Sequence, residues 1–159
     1  MLQTSRLVHL LPPYHENFGK RLVKSPKLYF LDVGLLTFLL GLHSREAVLG
    51  GPSLGALIET AVVAEWLKAF RHRGERPEIY YWKSPGVEVD LVIERGGRLH
   101  GIEVKATATP LPRNAEALAT WLKLAGPRAS GALACQVEAP VPVTAGIRAI
   151  PWHLTWCGG

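Results

Sequence analysis

Asp90, Glu103 and Lys105 are the side chains whose types and spacing best suit chemistry in this chain of 159 residues. Asp90 lies in the run Val87-Glu88-Val89-Asp90-Leu91-Val92-Ile93-Glu94, and the other two lie in Leu99-His100-Gly101-Ile102-Glu103-Val104-Lys105-Ala106. Both runs alternate apolar and polar residues, as half-buried strands do. On that period Val87, Val89, Leu91 and Ile93 share one face with Ile102, Val104 and Ala106. Glu88, Asp90, Glu103 and Lys105 share the other. Gly96-Gly97 between the runs is a favoured two-residue hairpin turn, and it places Asp90 opposite Glu103 and Glu88 opposite Lys105. Facing carboxylates repel by roughly 0.2 to 1 kcal/mol at a surface and by more when dried. A divalent cation between them reverses that sign.

Mg²⁺ or Mn²⁺ is held by one or two carboxylates together with waters and phosphate oxygens, and Asp90 with Glu103 supply such a partial cage. Lys105, two residues beyond Glu103, is placed to orient or deprotonate an attacking water and to offset charge on a phosphorus under attack. The same residues also suit a solvated sheet face, with Glu88 and Lys105 as an ordinary cross-strand ion pair.

The elements that must position these groups follow from periodicity. A helix is expected over about 54 to 72, from an N-cap at Ser53 to a stop at Gly74. Glu59 shares its apolar stripe with Val62, Val63, Trp66 and Phe70, whereas Glu65 lies on another face. A carboxylate in that stripe is directed at the sheet or reaches water along its own stem. Strands are expected over Glu78–Lys83, Val87–Glu94 and Leu99–Ala106, then a helix from about Arg113 to Leu124 and a strand over Ala129–Gln136. Upstream, a short strand over Lys27–Leu31 precedes a small helix, Val33–Leu40, that Asp32 is placed to cap.

This helix, three strands, helix, strand succession resembles the PD-(D/E)XK nuclease superfamily, with its restriction-endonuclease-like α/β core: α-β-β-β-α-β, a mixed central sheet flanked by helices. Residue by residue, the resemblance makes Asp90 the motif's first acid and Glu103 with Lys105 its Glu-x-Lys. Glu59 matches the first-helix glutamate of the resolvase-like branch. It implies metal held by Asp90, Glu103 and the Val104 carbonyl. Pro85 stands five residues before Asp90 instead of beside it. A wider resemblance runs through PPYHENFGKRLVKSPKLYFLDVGLL, GALIETAVVAEW, YYWKSPGVEVDLVIE and IEVKA. These segments are similar to the uncharacterised C-terminal domain of many prokaryotic AAA-type ATPases, which implies an ATPase module in cis or in trans. The chain carries no G-x-x-x-x-G-K-[ST] phosphate loop of its own.

Composition agrees with a compact core, residues 51–159, behind an N-terminal basic arm with a small helical element, residues 1–50. The chain is 48% hydrophobic and 19% charged, enough to bury a core without staples. Two cysteines, Cys135 and Cys157, suggest neither a disulfide framework nor a zinc site, so a cytoplasmic setting is expected. The longest apolar run, Leu28–Leu42, contains Asp32 and is too short for a membrane span. The net charge of +5 is concentrated in Arg6, Lys20, Arg21, Lys24 and Lys27, a grouping that suits a DNA backbone or an interdomain contact. Lys83, just before the Ser84-Pro85-Gly86 turn, is placed to contact a phosphate. Trp66, Trp82 and Trp121 are expected in the core and His100 is expected to be structural, while an aromatic C-terminal strand offers a surface for a homodimer. Two functions follow: a Mg²⁺- or Mn²⁺-dependent DNA phosphodiesterase, or a non-catalytic nuclease-like domain that docks on DNA or protein for an ATPase.

Overall fold

The computed structural model describes residues 3–14 and 25–155. Lys20, Arg21, Lys24 and Cys157, named above, lie outside the described residues. The fold is mixed α/β. Strands β1 (Val8–Leu11) and β2 (Lys27–Phe30) pair antiparallel in a two-stranded sheet. Helices α1 (Val33–Leu39), α2 (Arg45–Leu49) and α3 (Leu54–His72) follow. Next come β3 (Ile79–Ser84), β4 (Val87–Arg95), β5 (Arg98–Val104), α4 (Glu116–Ala125), β6 (Ala129–Cys135), β7 (Val141–Thr144) and β8 (Ile147–Pro151). The main sheet has six strands in the order β3-β4-β5-β6-β8-β7, with β5, β6 and β8 parallel and the other pairs antiparallel.

Local signals place most of these elements. Asp32 caps α1, its Oδ1 accepting from Leu35 N at 2.8 Å. Ser53 precedes α3 without a side-chain capping bond, and Gly74, at φ +70°, ends it. Gly96 and Gly97 both take positive φ and join β4 to β5 with Arg95 opposite Arg98, as the expected hairpin requires. β1, α2 and β7 have no counterpart in the expectations above.

Two apolar layers cover the main sheet. Ile58, Val62, Val63, Trp66, Leu67 and Phe70 of α3 pack on Ile79, Leu91, Ile93, Ile102 and Val104, together with Leu11 of β1 and Tyr29 of β2. Leu118, Trp121 and Ala125 of α4, spaced three and four apart, pack on Val89, Val92, Leu99 and Leu133. The strand alternation therefore holds only in part. Leu91 and Ile93 lie with Ile102 and Val104, but Val87 and Val89 lie in the other layer, and Ala106 is exposed beyond β5.

A bulge causes that change of phase. Tyr80 pairs with Val92 and Trp82 with Val89, so Tyr81 alone spans both Asp90 and Leu91. Tyr81 also ties in the N-terminal segment, its N–H donating to Pro12 O and its carbonyl accepting from Tyr14 N. Among the described residues no helix is long and apolar enough to cross a membrane.

α4 sits close to the sheet because Gly101 faces Gly131 across β5 and β6. A Cβ at Gly101 would stand 2.6 Å from Trp121 Cζ3 and 2.9 Å from Leu118 Cδ1. Gly101→Ala should therefore overpack this contact and cost about 1 to 3 kcal/mol in urea denaturation. An unchanged midpoint would show that α4 yields without strain.

Candidate functional site

The acids meet where the β4–β5 ladder ends. Its pairing runs from Arg95 and Arg98 to Leu91 and Ile102, in the register that the glycine turn sets. One residue further on, the Asp90 carboxylate takes the place of a ladder partner: its Oδ2 accepts from Val104 N at 2.8 Å. The bulge at Asp90 and Leu91 aims that side chain. On β5, Glu103 Oε1 accepts from Lys105 Nζ at 2.6 Å. Glu103 is buried, 5% exposed, and its second oxygen, Oε2, is buried without a hydrogen-bond partner.

Glu59 comes from α3, its stripe neighbours buried as the helical spacing expects. The contrasting Glu65 pairs with Lys68 at 2.6 Å on the exposed side. Glu59 accepts from the Tyr29 hydroxyl, and its Oε1 lies 3.3 Å from Lys27 Nζ. Lys27, expected among the cations of a basic arm, thus faces carboxylates of the cluster. Its ammonium bonds Glu88 and stands 3.9 Å from Asp90 Oδ1. Glu88 does not pair with Lys105 as the hairpin register suggests, because the bulge shifts its strand segment. It takes Lys83 at 2.5 Å on its other oxygen. Lys83 is half-exposed.

The residue pattern does not single out Tyr29 or Glu88 as site residues, and it groups Lys27 with the basic arm, whereas the fold sets that lysine among Glu59, Glu88 and Asp90. The available signal was the spacing of Lys27 and Tyr29, two apart on a strand and so on one face. Away from the cluster, His100 Nδ1 lies 2.9 Å from Ser130 Oγ, and burial lowers its pKa. Trp66, Trp82 and Trp121 are buried.

Electrostatics divides the acids into two kinds. Burial raises the pKa of Glu88, but the bonds from Lys27 and Lys83 outweigh it and leave the group below its usual range. Asp90 moves the other way, to about 7, because burial and the charges of Glu103 and Glu59 outweigh the Val104 N–H and Lys27. Glu103 is also raised, by burial and then by Glu59 and Glu88, against the opposing pull of Lys105. Burial pulls Lys27 and Lys105 down, yet their carboxylate partners hold both above the ordinary lysine value. Both remain cations at neutral pH.

The donors fit a hard cation, since they are carboxylates with a peptide carbonyl nearby, and Glu103 Oε2 is an unsatisfied buried acceptor. Among the described residues no group of three or more His, Cys, Asp or Glu side chains is placed to hold one ion. An ion here would rest on Asp90 and Glu103, the Val104 carbonyl, and solvent or phosphate oxygens.

Asp90 ionises at 3.8 when unperturbed and at about 7 when folded, so the native state binds an extra proton between those values. Stability then falls as pH rises through this window, and the cost of ionising Asp90 in place is complete above about 7. Asp90→Asn keeps an acceptor for Val104 N and removes that cost. In metal-free buffer it should melt above the wild type near pH 8, by a few kcal/mol at most, with the gap closing near pH 4.5. The same gap at both pH values would rule out this assignment.

Residues 1–46 match a family described as a domain of unknown function, DUF8612. An uncharacterised protein of Mycobacterium tuberculosis and another of Mycobacterium bovis are each 42% identical to this chain over 110 residues. Each match covers 69% of this chain and 24% of the relative, so the chain spans about a quarter of these relatives' length. No solved structure matches it. Residues 54–155, which carry α3, the main sheet and Glu59, Asp90, Glu103 and Lys105, match the family described as a domain of unknown function, DUF4143, and the chain belongs to that family.

Proposed function

We propose that this domain is a metal-dependent phosphodiesterase acting on DNA, built on a restriction-endonuclease-like core and coupled to an ATPase module. The observation that carries the reading is the meeting of Asp90 and Glu103 at the end of a strand ladder, with Lys105 bonded to Glu103 and one Glu103 oxygen unsatisfied. The chain order α3, β3, β4, β5, α4, β6, with an acid on α3, β4 and β5, supports the nuclease-like core. Bound by Asp90, Glu103 and the Val104 carbonyl, Mg²⁺ or Mn²⁺ supplies Lewis-acid stabilisation of the phosphate under attack. Lys105, held as an ammonium, orients the attacking water and offsets charge on the phosphate oxygens, and its protonation makes it a poor general base. Glu59 positions the cluster from α3 through Tyr29 and Lys27. Lys83, with Lys20, Arg21 and Lys24, provides cations for the DNA backbone. The relatives are about four times longer than the matched segment, which leaves room in them for the ATPase that the sequence resemblance suggests.

One observation favours a second reading, a non-catalytic docking domain: lysines already neutralise most of the cluster, as a structural ion-pair network requires. Cleavage assays with Mn²⁺ on linear, branched and single-stranded DNA separate the two. Wild type should cut. Lys105→Ala should lose about 10²-fold or more in rate while still binding Mn²⁺, and Asp90→Ala should lose both. Absence of metal-dependent cleavage on every substrate would leave the docking function.

A further inference from the structure

Lys27 lies 32 residues before Glu59 in sequence, yet it is the group that three of the acids share. Its ammonium bonds Glu88, lies 3.3 Å from Glu59 Oε1 and 3.9 Å from Asp90 Oδ1, and sits 5.3 Å from the centroid of the Tyr81 ring. Three carboxylates and an aromatic face present one sign of potential to a single compact cation. The strand that carries it is tied down on both sides of Lys27. Tyr81 donates its hydroxyl to Ser25 O at 2.5 Å, and Tyr29 donates to Glu59.

Charge counting shows what this cation does. Glu59, Glu88, Asp90 and Glu103 face three ammoniums, those of Lys27, Lys83 and Lys105. With all four acids ionised, as they would be around a bound ion, taking Lys27 away leaves a formal deficit of two, which is the charge of one divalent ion. The buried, unpartnered Glu103 Oε2 marks where acceptor capacity remains.

We propose that Lys27 is the resident counter-cation of this site and competes with a divalent ion for its carboxylates, so that β2 sets how tightly the domain holds metal. This inference rests on the metal-site reading above and adds a control to it. The ammonium and the ion both draw on Asp90, whose Oδ1 lies 3.9 Å from Lys27 Nζ, while Glu59 and Glu88 hold the ammonium beside that ligand. Metal entry therefore requires Lys27 to withdraw along its flexible stem or the carboxylates to turn from it. An arginine keeps the charge, whereas a methionine keeps the stem's bulk and removes it.

Calorimetric titration of the full chain with MnCl₂ tests this. Lys27→Met should bind Mn²⁺ about tenfold or more tightly than wild type. Lys27→Arg should stay near the wild-type value, and adding Asp90→Ala to Lys27→Met should remove the gain. Equal or weaker binding by Lys27→Met, with wild-type binding still lost in Asp90→Ala, overturns the competition and leaves the metal site standing. Failure of every variant to bind Mn²⁺ overturns both. Thermal melts give a second readout, because Mn²⁺ should raise the Tm of Lys27→Met more than that of wild type. Should Lys27→Met not fold in chelator, MnCl₂ is expected to restore its far-UV circular dichroism, and no restoration counts against the proposal.

Discussion

Carboxylates gathered in a half-dry corner of a sheet repel one another, and the ion pairs around Lys27 make their meeting tolerable. Glu59 and Asp90 come from a helix and a strand that no backbone ladder joins, and Lys27 bridges them from a third element. The distribution of charge then follows the balance between burial and the pull of the lysines, with burial prevailing at Asp90 and Glu103 and the lysines at Glu88. Glu88, bonded by two of them, is held ionised, while Asp90, deeper and beside Glu103, is held toward its neutral form. Groups of one chemical type whose pKa values are pushed apart by their surroundings can take different roles in one site. Here the division needs no unusual backbone at the acids beyond one extra residue in β4.

That extra residue has effects at two scales. Locally it sets Asp90 and Leu91 against the single partner Tyr81 and turns the aspartate so that it accepts from Val104 N. A side-chain hydrogen bond thus takes over where the β4–β5 ladder stops, which offsets the lost pairing. Over a longer range the same Tyr81 holds Pro12, Tyr14 and Ser25 through hydrogen bonds and offers its ring to Lys27. The bulge and the strand that delivers the counter-cation are therefore mechanically one unit.

Much of this was legible in the residue order. The Gly96-Gly97 turn fixed the β4–β5 register, because both positions need positive φ and the ladder counts outward from them. The length of α3 and the inward direction of Glu59 followed from a stripe of apolar residues with one carboxylate in it. The bulge left only a faint trace. Leu91, Val92 and Ile93 are three consecutive apolar residues where alternation demands a polar one, and such a run reads equally well as a strand buried on both faces. The acids that Lys27 faces are not legible at all, since a lysine among other basic residues reads as part of a basic arm until the fold sets it beside Glu59, Glu88 and Asp90. No periodicity encodes that meeting, because β2 and β4 are neighbours only in space.

A fold selected for stability alone would have little reason to assemble this cluster. Replacing a buried ion network by well-packed apolar side chains is often neutral or stabilising, whereas leaving a buried carboxyl oxygen unpaired costs about 1 to 3 kcal/mol. Glu103 Oε2 carries that cost in full view of a lysine that bonds only its sister oxygen. Neither helix capping nor strand pairing explains the arrangement, for the contributors come from β2, α3, β3, β4 and β5, and each could meet its local needs without the others. What the cluster does provide is a seat for positive charge, filled by a flexible side chain and bordered by an acceptor with capacity to spare. Such a seat is suited to exchange. Hydrolysis and docking, the two proposed functions, would both draw on that property, because Lys27 already occupies the carboxylates that another cation would approach.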